Sequence, residues 1–245
     1  MDYYQQNPYQ AVSDRGFVAA MAEEAERTIF IRRTYLHLGG AIATFVALQL
    51  LIFTVAGEAV GNIVRNMTGG WNWLLVLGAF MAVSWIANTW ASSSTSLTTQ
   101  YLGLGLFVVA EAVIFLPLIY VAQRIGPETI TAAVLITGIV FSGLTLVVFT
   151  TRADLSSWGK YLWVGGLVAL GVIVASIVTG GFGLGVIFSA CMIALASGYI
   201  LYDTSNVLHH YRTDQYVAAA LALFASVAIL FWYILRFVIA FSGRD

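Results

Sequence analysis

The chain has 245 residues, of which 60% are hydrophobic and 9% are charged. Soluble globular proteins carry about 25% charged residues and about 45–50% apolar ones, so this composition excludes a globular protein that covers its surface with polar groups in water. The net charge is −1, from 11 basic and 12 acidic residues, and offers no basic surface to nucleic acid. We therefore expect a membrane protein that is surrounded by the lipid bilayer and has no nucleic-acid partner.

Residues 1–33 form a polar cytoplasmic tail ahead of the first apolar run. The stretch from Tyr3 to Gln10 has too little apolar surface to fold alone, so we expect the tail to be partly disordered. Residues 17–33 mix Ala, Met, Glu and Arg, which fits either an amphipathic helix on the membrane surface or a solvated charged helix. The acidic residues of the tail argue against a cleavable signal peptide, which has a basic start.

Seven apolar segments follow the tail, and each approaches the ~17–25 residues that a helix needs to cross the hydrocarbon core. Their apolar residues are continuous instead of alternating, which excludes a membrane β-barrel. We predict an all-α transmembrane domain of seven helices over residues 34–245. The predicted spans are residues 34–56, 71–91, 101–122, 129–150, 161–179, 183–202 and 216–241.

The distribution of Lys and Arg around these spans predicts their orientation, because cytoplasmic loops carry an excess of basic residues. With the tail in the cytoplasm, seven basic residues lie inside and four lie outside. We therefore predict a multi-pass protein with a cytoplasmic N-terminus. The inner residues are Arg15, Arg27, Arg32, Arg33, Arg152, Lys160 and Arg212, and the outer ones are Arg65, Arg124, Arg236 and Arg244.

Two acidic residues fall within or at the end of the predicted spans. An ionisable side chain at bilayer depth costs about 2.5–3.5 kcal/mol on insertion scales, so each is a candidate functional residue. Glu111 lies about 15 Å into the third span, near the midplane, and Asp203 closes the sixth span at its cytoplasmic end. Both could line an ion path. Glu111 could instead be a protonated acid that hydrogen-bonds a neighbouring helix, and Asp203 could cap its own helix.

Other polar residues could support such a path. His209 and His210 follow Asp203, where exposed imidazoles titrate near neutral pH, so they could sense pH or form a solvated loop. Ser93 and Ser94 belong to a hydroxyl-rich run that could line a vestibule or cap the adjacent helices. The sequence has no His-Glu-x-x-His motif, and one Cys and three His provide no cluster of zinc ligands. We expect neither an enzyme nor a bound cofactor.

Three stretches resemble the Bax inhibitor-1 family. They are residues 137–155, residues 198–204 with the sequence Gly-Tyr-Ile-Leu-Tyr-Asp-Thr, and residues 104–117 with Glu111 and Pro117, which are similar to the bacterial members. The resemblance implies six helices around a central seventh, and a pH-sensitive calcium leak whose sensor is built from carboxylates. The bacterial match favours the inner membrane, with the endoplasmic reticulum as the eukaryotic alternative.

The resemblance also implies where the sensor lies and how this chain departs from it. Asp203 matches the family's acid in the sixth helix. The family's second acid, in the seventh helix, falls at Ser226, and the basic partner at the inner end of the second helix falls among residues 92–94. Because hydroxyls replace both charges, Asp203 would be a weak calcium ligand and a blunter pH sensor than a pair of carboxylates.

These observations predict a pH-sensitive cation leak with calcium as the permeant ion and Asp203, Glu111 and Ser226 along its path. The alternative is a regulator that binds other membrane proteins, such as the membrane-anchored ATP-dependent protease that some bacterial relatives bind. The polar tail would then be the handle for that partner. A small-solute transporter is a third possibility, but the chain shows no inverted repeat.

Overall fold

The computed structural model describes residues 17–93, 96–179 and 185–242. These residues form α-helices and short connections, and seven of the helices are long and apolar enough to cross a membrane. The predicted all-α fold with seven spans is confirmed. The helices are α1 (Glu24–Ala56), α2 (Ala59–Thr68), α3 (Asn72–Ala91), α4 (Leu97–Ile114), α5 (Leu116–Ile125), α6 (Pro127–Thr151), α7 (Gly159–Val178, preceded by a 3₁₀ turn at Ser156–Trp158), α8 (Val186–His209) and α9 (Tyr216–Ser242).

Helix α9 lies at the centre of the bundle, as the family resemblance implies. In an apolar stretch of 18 residues in α9, 67% of the residues are buried. In the corresponding stretches of the other six spans, the buried share is 11–44%. Helices α1, α3, α4, α5, α6 and α8 pack against α9, and α7 packs against α8. Small residues at the start of α9, including Ala218, Ala219 and Ala220, let these neighbours approach closely, which is how helices associate in lipid.

Helix α1 begins at Glu24, earlier than the predicted first span at residues 34–56. Residues 24–33 are mostly good helix formers, so the apolar helix continues towards the N-terminus without a break. Phe30 in this extension is buried. Residues 17–23 precede the helix as a short strap that turns at residues 19–22, where the Met21 N–H donates to the Val18 carbonyl over 2.8 Å.

The predicted continuous span at residues 101–122 is wrong, because the structure breaks this segment at Phe115 into α4 and α5. Pro117 is the second residue of α5, and proline has no N–H to continue the hydrogen bonding of the preceding turn. The side chain of Gln49 on α1 reaches the break, where its Nε2 donates to the carbonyl of Ala112 over 2.8 Å. A neighbouring helix therefore supplies a hydrogen-bond donor to a backbone carbonyl beside the break.

The two ends of the bundle have different connections. Helix α1 begins, α6 and α8 end and α9 begins at one end, which we call the N face. There the strap meets the loop before α9, since the Ala19 N–H donates to the Tyr211 carbonyl over 2.9 Å. We call the opposite end the C face, and α2 and α5 pack against each other there.

Candidate functional site

The carboxylate of Asp203 lies between α8 and the central helix α9. The Ser226 hydroxyl donates a hydrogen bond to Asp203 Oδ2. Ser226 is 4% exposed and lies about 15 Å along α9 from its start at the N face. The structure therefore brings into contact the two residues that the family resemblance pairs.

Asp203 is not at the end of its helix, so the prediction that it closes the sixth span is wrong. Helix α8 continues to His209, and the carboxylate lies about 9 Å inside that end. Val207 and Leu208 are buried, and their packing holds the extra turns in place although the segment is rich in hydroxyl groups. A role as a helix cap is thereby excluded for Asp203.

Tyrosines surround the carboxylate. Asp203 interacts electrostatically with the hydroxyls of Tyr199 and Tyr211. Burial, followed by the charges of Asp203 and Tyr202, raises the pKa of Tyr211 above its usual range. The ion pairs within the described residues are His210–Asp154 and Arg212–Asp214, so neither includes Asp203. Its neighbours in this part of the chain are polar but carry no fixed positive charge.

A second polar cluster includes Thr204, the residue that follows Asp203 in α8. The hydroxyl of Tyr35 on α1 faces the hydroxyls of Thr145 on α6 and Thr204 on α8. Thr204 is fully buried, so these hydroxyls lie close together in the interior of the bundle. We call Tyr35, Thr145 and Thr204 the hydroxyl cluster, and it places three polar groups from three helices inside the bundle.

Glu111 belongs to a different part of the interior. It is 5% exposed and lines a cavity of about 180 Å³ together with Trp73, Trp232, Tyr233 and Arg236. Glu111 lies about 21 Å along α4 from the start of that helix at the N face. Neither Asp203 nor Ser226 is among the residues that line the cavity, so the two acids form separate stations.

The two histidines that follow Asp203 differ in their surroundings. His209 Nδ1 lies 2.9 Å from the Ser205 carbonyl within α8. His210 Nε2 lies 3.1 Å from Asp154 Oδ1, in the loop between α6 and α7. Asp154 Oδ1 also accepts from the Ser156 N–H over 2.9 Å, so this carboxylate caps the turn that follows it.

The environment of Asp154 favours its ionised form. The hydrogen bond from the Ser156 backbone and then that from His210 lower the pKa of the exposed Asp154 carboxyl to about 2. His210 therefore connects the end of α8 to the α6–α7 loop. The predicted role of His209 and His210 in sensing pH stays a prediction.

Ser93, one of the two serines proposed as vestibule residues, lies just after the end of α3. The Ser93 carbonyl accepts from Gln100 Nε2 over 2.7 Å, which connects Ser93 to α4. Ser94 lies outside the described residues. A vestibule role for either serine stays a prediction.

Sequence reasoning overlooked His37, which lies on α1 near the N face. His37 Nε2 is 2.9 Å from the Tyr101 hydroxyl, and its ring centroid is 5.0 Å from that of Tyr216. The Arg33 guanidinium lies 5.5 Å from the same Tyr216 ring. The signal was present, since an ionisable residue inside an apolar span is rare and often functional.

The strap before α1 is hydrogen-bonded to the loop before α9 at the N face. The Thr213 N–H donates to the Phe17 carbonyl and the Ala19 N–H donates to the Tyr211 carbonyl, each over 2.9 Å. Ala19 is 0% exposed. Tyr211, which the strap contacts, also interacts electrostatically with Asp203.

The oxygens at Asp203 do not amount to a resident calcium site. Ca²⁺ takes six to eight oxygen ligands, and this contact supplies one carboxylate and one hydroxyl. Within residues 17–93, 96–179 and 185–242, no three His, Cys, Asp or Glu side chains are grouped so that they could hold a metal ion.

Comparisons with known proteins cover most of the chain. The protein-family model described as "Inhibitor of apoptosis-promoting Bax1" matches residues 27–243. An uncharacterised protein of Pseudomonas aeruginosa is 28% identical over 230 residues, which are 93% of this chain and 96% of that protein. The Escherichia coli K12 protein named "Modulator of FtsH protease YccA" is 34% identical over 126 residues, which are 51% of this chain and 56% of that protein. The YccA protein of Escherichia coli strain CFT073, which matches to the same extent, is named "Inner membrane protein YccA".

Proposed function

The chain belongs to the Bax inhibitor-1 family, and on that premise we propose that it is a pH-sensitive cation leak in a bacterial inner membrane, with calcium as a permeant ion. The observation that carries this proposal is the contact of Asp203 with Ser226 inside the bundle. It places an acid at the interface between α8 and the central helix, about 9 Å inside the N face. Asp203 takes part in neither of the ion pairs found among the described residues.

The charge state of Asp203 would control both the ion and the helix interface. Ionised, the carboxylate attracts a cation and accepts the hydrogen bond from Ser226. Protonated, it carries no charge and can donate a hydrogen bond itself. The groups that face it, Tyr199, Tyr211 and Ser226, carry no positive charge that would offset a change in its ionisation. Acidification would therefore reduce the attraction for cations at this point.

The remainder of the path would use the other polar groups of the interior. The hydroxyl cluster lies next to Asp203 on α8, and Glu111 lies further towards the C face in its own cavity. Alternating carboxylate and hydroxyl stations offer oxygen ligands to a partly dehydrated cation. We place the N face in the cytoplasm, because Arg27, Arg152, Lys160 and Arg212 lie at that end and basic residues accumulate on the cytoplasmic side.

Calcium flux into proteoliposomes tests this proposal. We expect Asp203→Asn and Glu111→Gln each to change the flux and Asp203→Asn to abolish its dependence on pH. Asp154→Asn is the matched control, because Asp154 is an exposed acid outside the spans. Flux that is unchanged in both interior variants, at equal amounts of reconstituted protein, would refute the leak.

The second candidate is a modulator of a membrane-anchored ATP-dependent protease. It is favoured by the similarity to the Escherichia coli protein whose name describes a modulator of FtsH protease. The strap at the N face, with Phe17 and Met21 exposed, would transmit the binding of a partner to the loop at Tyr211. Deletion of residues 1–15 should then abolish modulation of substrate degradation by the protease and leave calcium flux intact. Loss of both activities would argue against a separate partner-binding role.

A further inference from the structure

A cavity of about 360 Å³ lies between α1 and α6, with α9 as its floor. Its walls are largely apolar and include Phe45, Phe115 and Phe224. The Phe45 ring packs edge to face against the rings of Phe115 and Phe224. At the rim, Val46 and Val134 are exposed on helices that span the membrane. The opening therefore faces the lipid, and the cavity is distinct from the Asp203 contact and from the Glu111 cavity.

Two buried polar residues, Gln49 and Thr137, line this apolar space, and the Thr137 hydroxyl donates to the Ala133 carbonyl of its own helix over 2.7 Å. Gln49 is 6% exposed, and its Nε2 donates to the Ala112 carbonyl at the helix break over 2.8 Å. That bond identifies which end of the amide is nitrogen, because a carbonyl can accept only from the NH₂ group. Gln49 Oε1 has no hydrogen-bond partner within the described residues. An acceptor without a donor is costly in a hydrocarbon environment.

We propose that this cavity binds a single-chain lipid that carries a hydroxyl donor, such as a long-chain alcohol, with its hydroxyl on Gln49 Oε1. The apolar walls match the hydrocarbon chain, and the volume falls within the ~300–1,000 Å³ of typical ligand pockets. The acyl chain of an ordinary phospholipid has no donor and would leave Gln49 Oε1 unpaired. The amide thus selects among the apolar molecules that the bilayer supplies.

Cavity-filling variants test the location of the site. Gly138 lines the cavity, and a Cβ added at Gly138 meets no atom within 4 Å, so Gly138→Phe can fill the space without a backbone clash. Gly143 lies on the same helix, does not line the cavity and has equally open surroundings. Gly143→Phe is therefore the matched control.

The probe is a twelve-carbon alcohol with a photoactivatable diazirine, added to the full-length protein in phosphatidylcholine nanodiscs. We expect cross-links to residues around Gln49 in the wild type and in Gly143→Phe, and at least about tenfold fewer in Gly138→Phe. Equal labelling of Gly138→Phe and Gly143→Phe would overturn the proposal, and so would labelling that is confined to other faces.

Competition tests the hydrogen bond without altering the protein. Unlabelled dodecanol should displace the probe about five- to thirtyfold better than its methyl ether, which keeps the oxygen but lacks the donor. Gln49→Met should remove this preference while cross-linking to the cavity continues. Equal competition by dodecanol and its ether in the wild type would show that Gln49 does not select the ligand, and the proposed specificity would be rejected.

Discussion

Ser226 on the central helix donates a hydrogen bond to Asp203 on α8, so a polar contact joins the seventh span to the sixth inside the bundle. The family resemblance implies an acid at the position that Ser226 occupies. A hydroxyl can donate to an ionised carboxylate, whereas a second ionised carboxylate would repel it. The contact in this chain is therefore compatible with an Asp203 that stays charged.

Removal of the donor should weaken the interface between α8 and α9. Ser226→Ala leaves Asp203 without its hydrogen bond, and the loss of one partner from a buried polar pair costs about 1–3 kcal/mol. We expect the free energy of unfolding in mild detergent to fall by about that amount. Ser197→Ala is the control, since Ser197 bonds only the Ile193 carbonyl of its own helix and should change stability little. Equal stability of the two variants would mean that the contact contributes nothing.

An acid introduced at position 226 should make the binding of calcium depend more steeply on pH. In Ser226→Asp, two carboxylates at hydrogen-bond distance share one proton, and a divalent cation can replace that proton. We expect calcium to protect the variant against thermal unfolding more than it protects the wild type, and this protection to disappear on acidification. Ser226→Asn supplies a side chain of the same size without the charge. Protection by calcium in Ser226→Asn would contradict the explanation.

Displacement of the strap should loosen the N face. Ala19 is fully buried where the strap meets the Tyr211 loop, whereas its neighbour Ala20 is exposed. Ala19→Arg cannot be accommodated without separation of the strap from the loop, and Ala20→Arg projects into solvent. We expect faster hydrogen exchange at residues 211–213 and increased calcium flux in Ala19→Arg alone. If exchange rises but flux does not, the strap does not restrict the path to Asp203.

A side chain at Gly103, where α3 and α4 approach most closely, should destabilise the protein. A Cβ added at Gly103 would lie 2.5 Å from both Ala87 O and Ala91 N, whereas one at Gly105 would meet nothing within 4 Å. Gly103→Ala forces the backbones apart and should destabilise the protein by at least about 1–3 kcal/mol. Gly105→Ala should be neutral or stabilising by up to about 1 kcal/mol, because alanine is the better helix former. The comparison uses thermal unfolding of the two variants in the same detergent.

The loop between α6 and α7 should keep its ionised cap in acid. The pKa of Asp154 is lowered to about 2, below its ordinary value of about 3.9. The carboxylate therefore stabilises the folded loop above about pH 4, and this contribution is lost as the pH falls towards 2. Nuclear magnetic resonance of the Ser156 amide should give a titration midpoint near pH 2. In His210→Ala the midpoint should rise only part of the way, because the Ser156 backbone contact remains; a wild-type midpoint near 4 would contradict the assignment.

Several features of the site could be predicted from the sequence because they depend on local composition. Glu111 and Asp203 are conspicuous as acids in apolar runs, and their burial within the bundle follows from the length of those runs. The position of Ser226 came from the family resemblance, since a serine in an apolar helix carries no distinguishing signal of its own. Gln49, Tyr35 and Thr204 have ordinary sequence contexts as well, and their importance lies in partners on other helices.

The apolar runs of the sequence are sufficient to predict seven membrane-spanning helices. Each span is a continuous apolar run, and a helix satisfies its own backbone hydrogen bonds in lipid. Tertiary structure alone decided which polar groups meet inside the bundle. Helix rotation and tilt depend on packing against neighbours in three dimensions, so no local pattern encodes the Gln49 amide at the broken α4–α5 segment or the hydroxyl cluster beside Asp203. Glu111 and Asp203 are likewise assigned to separate stations by the helices that surround them, and not by their distance in the sequence.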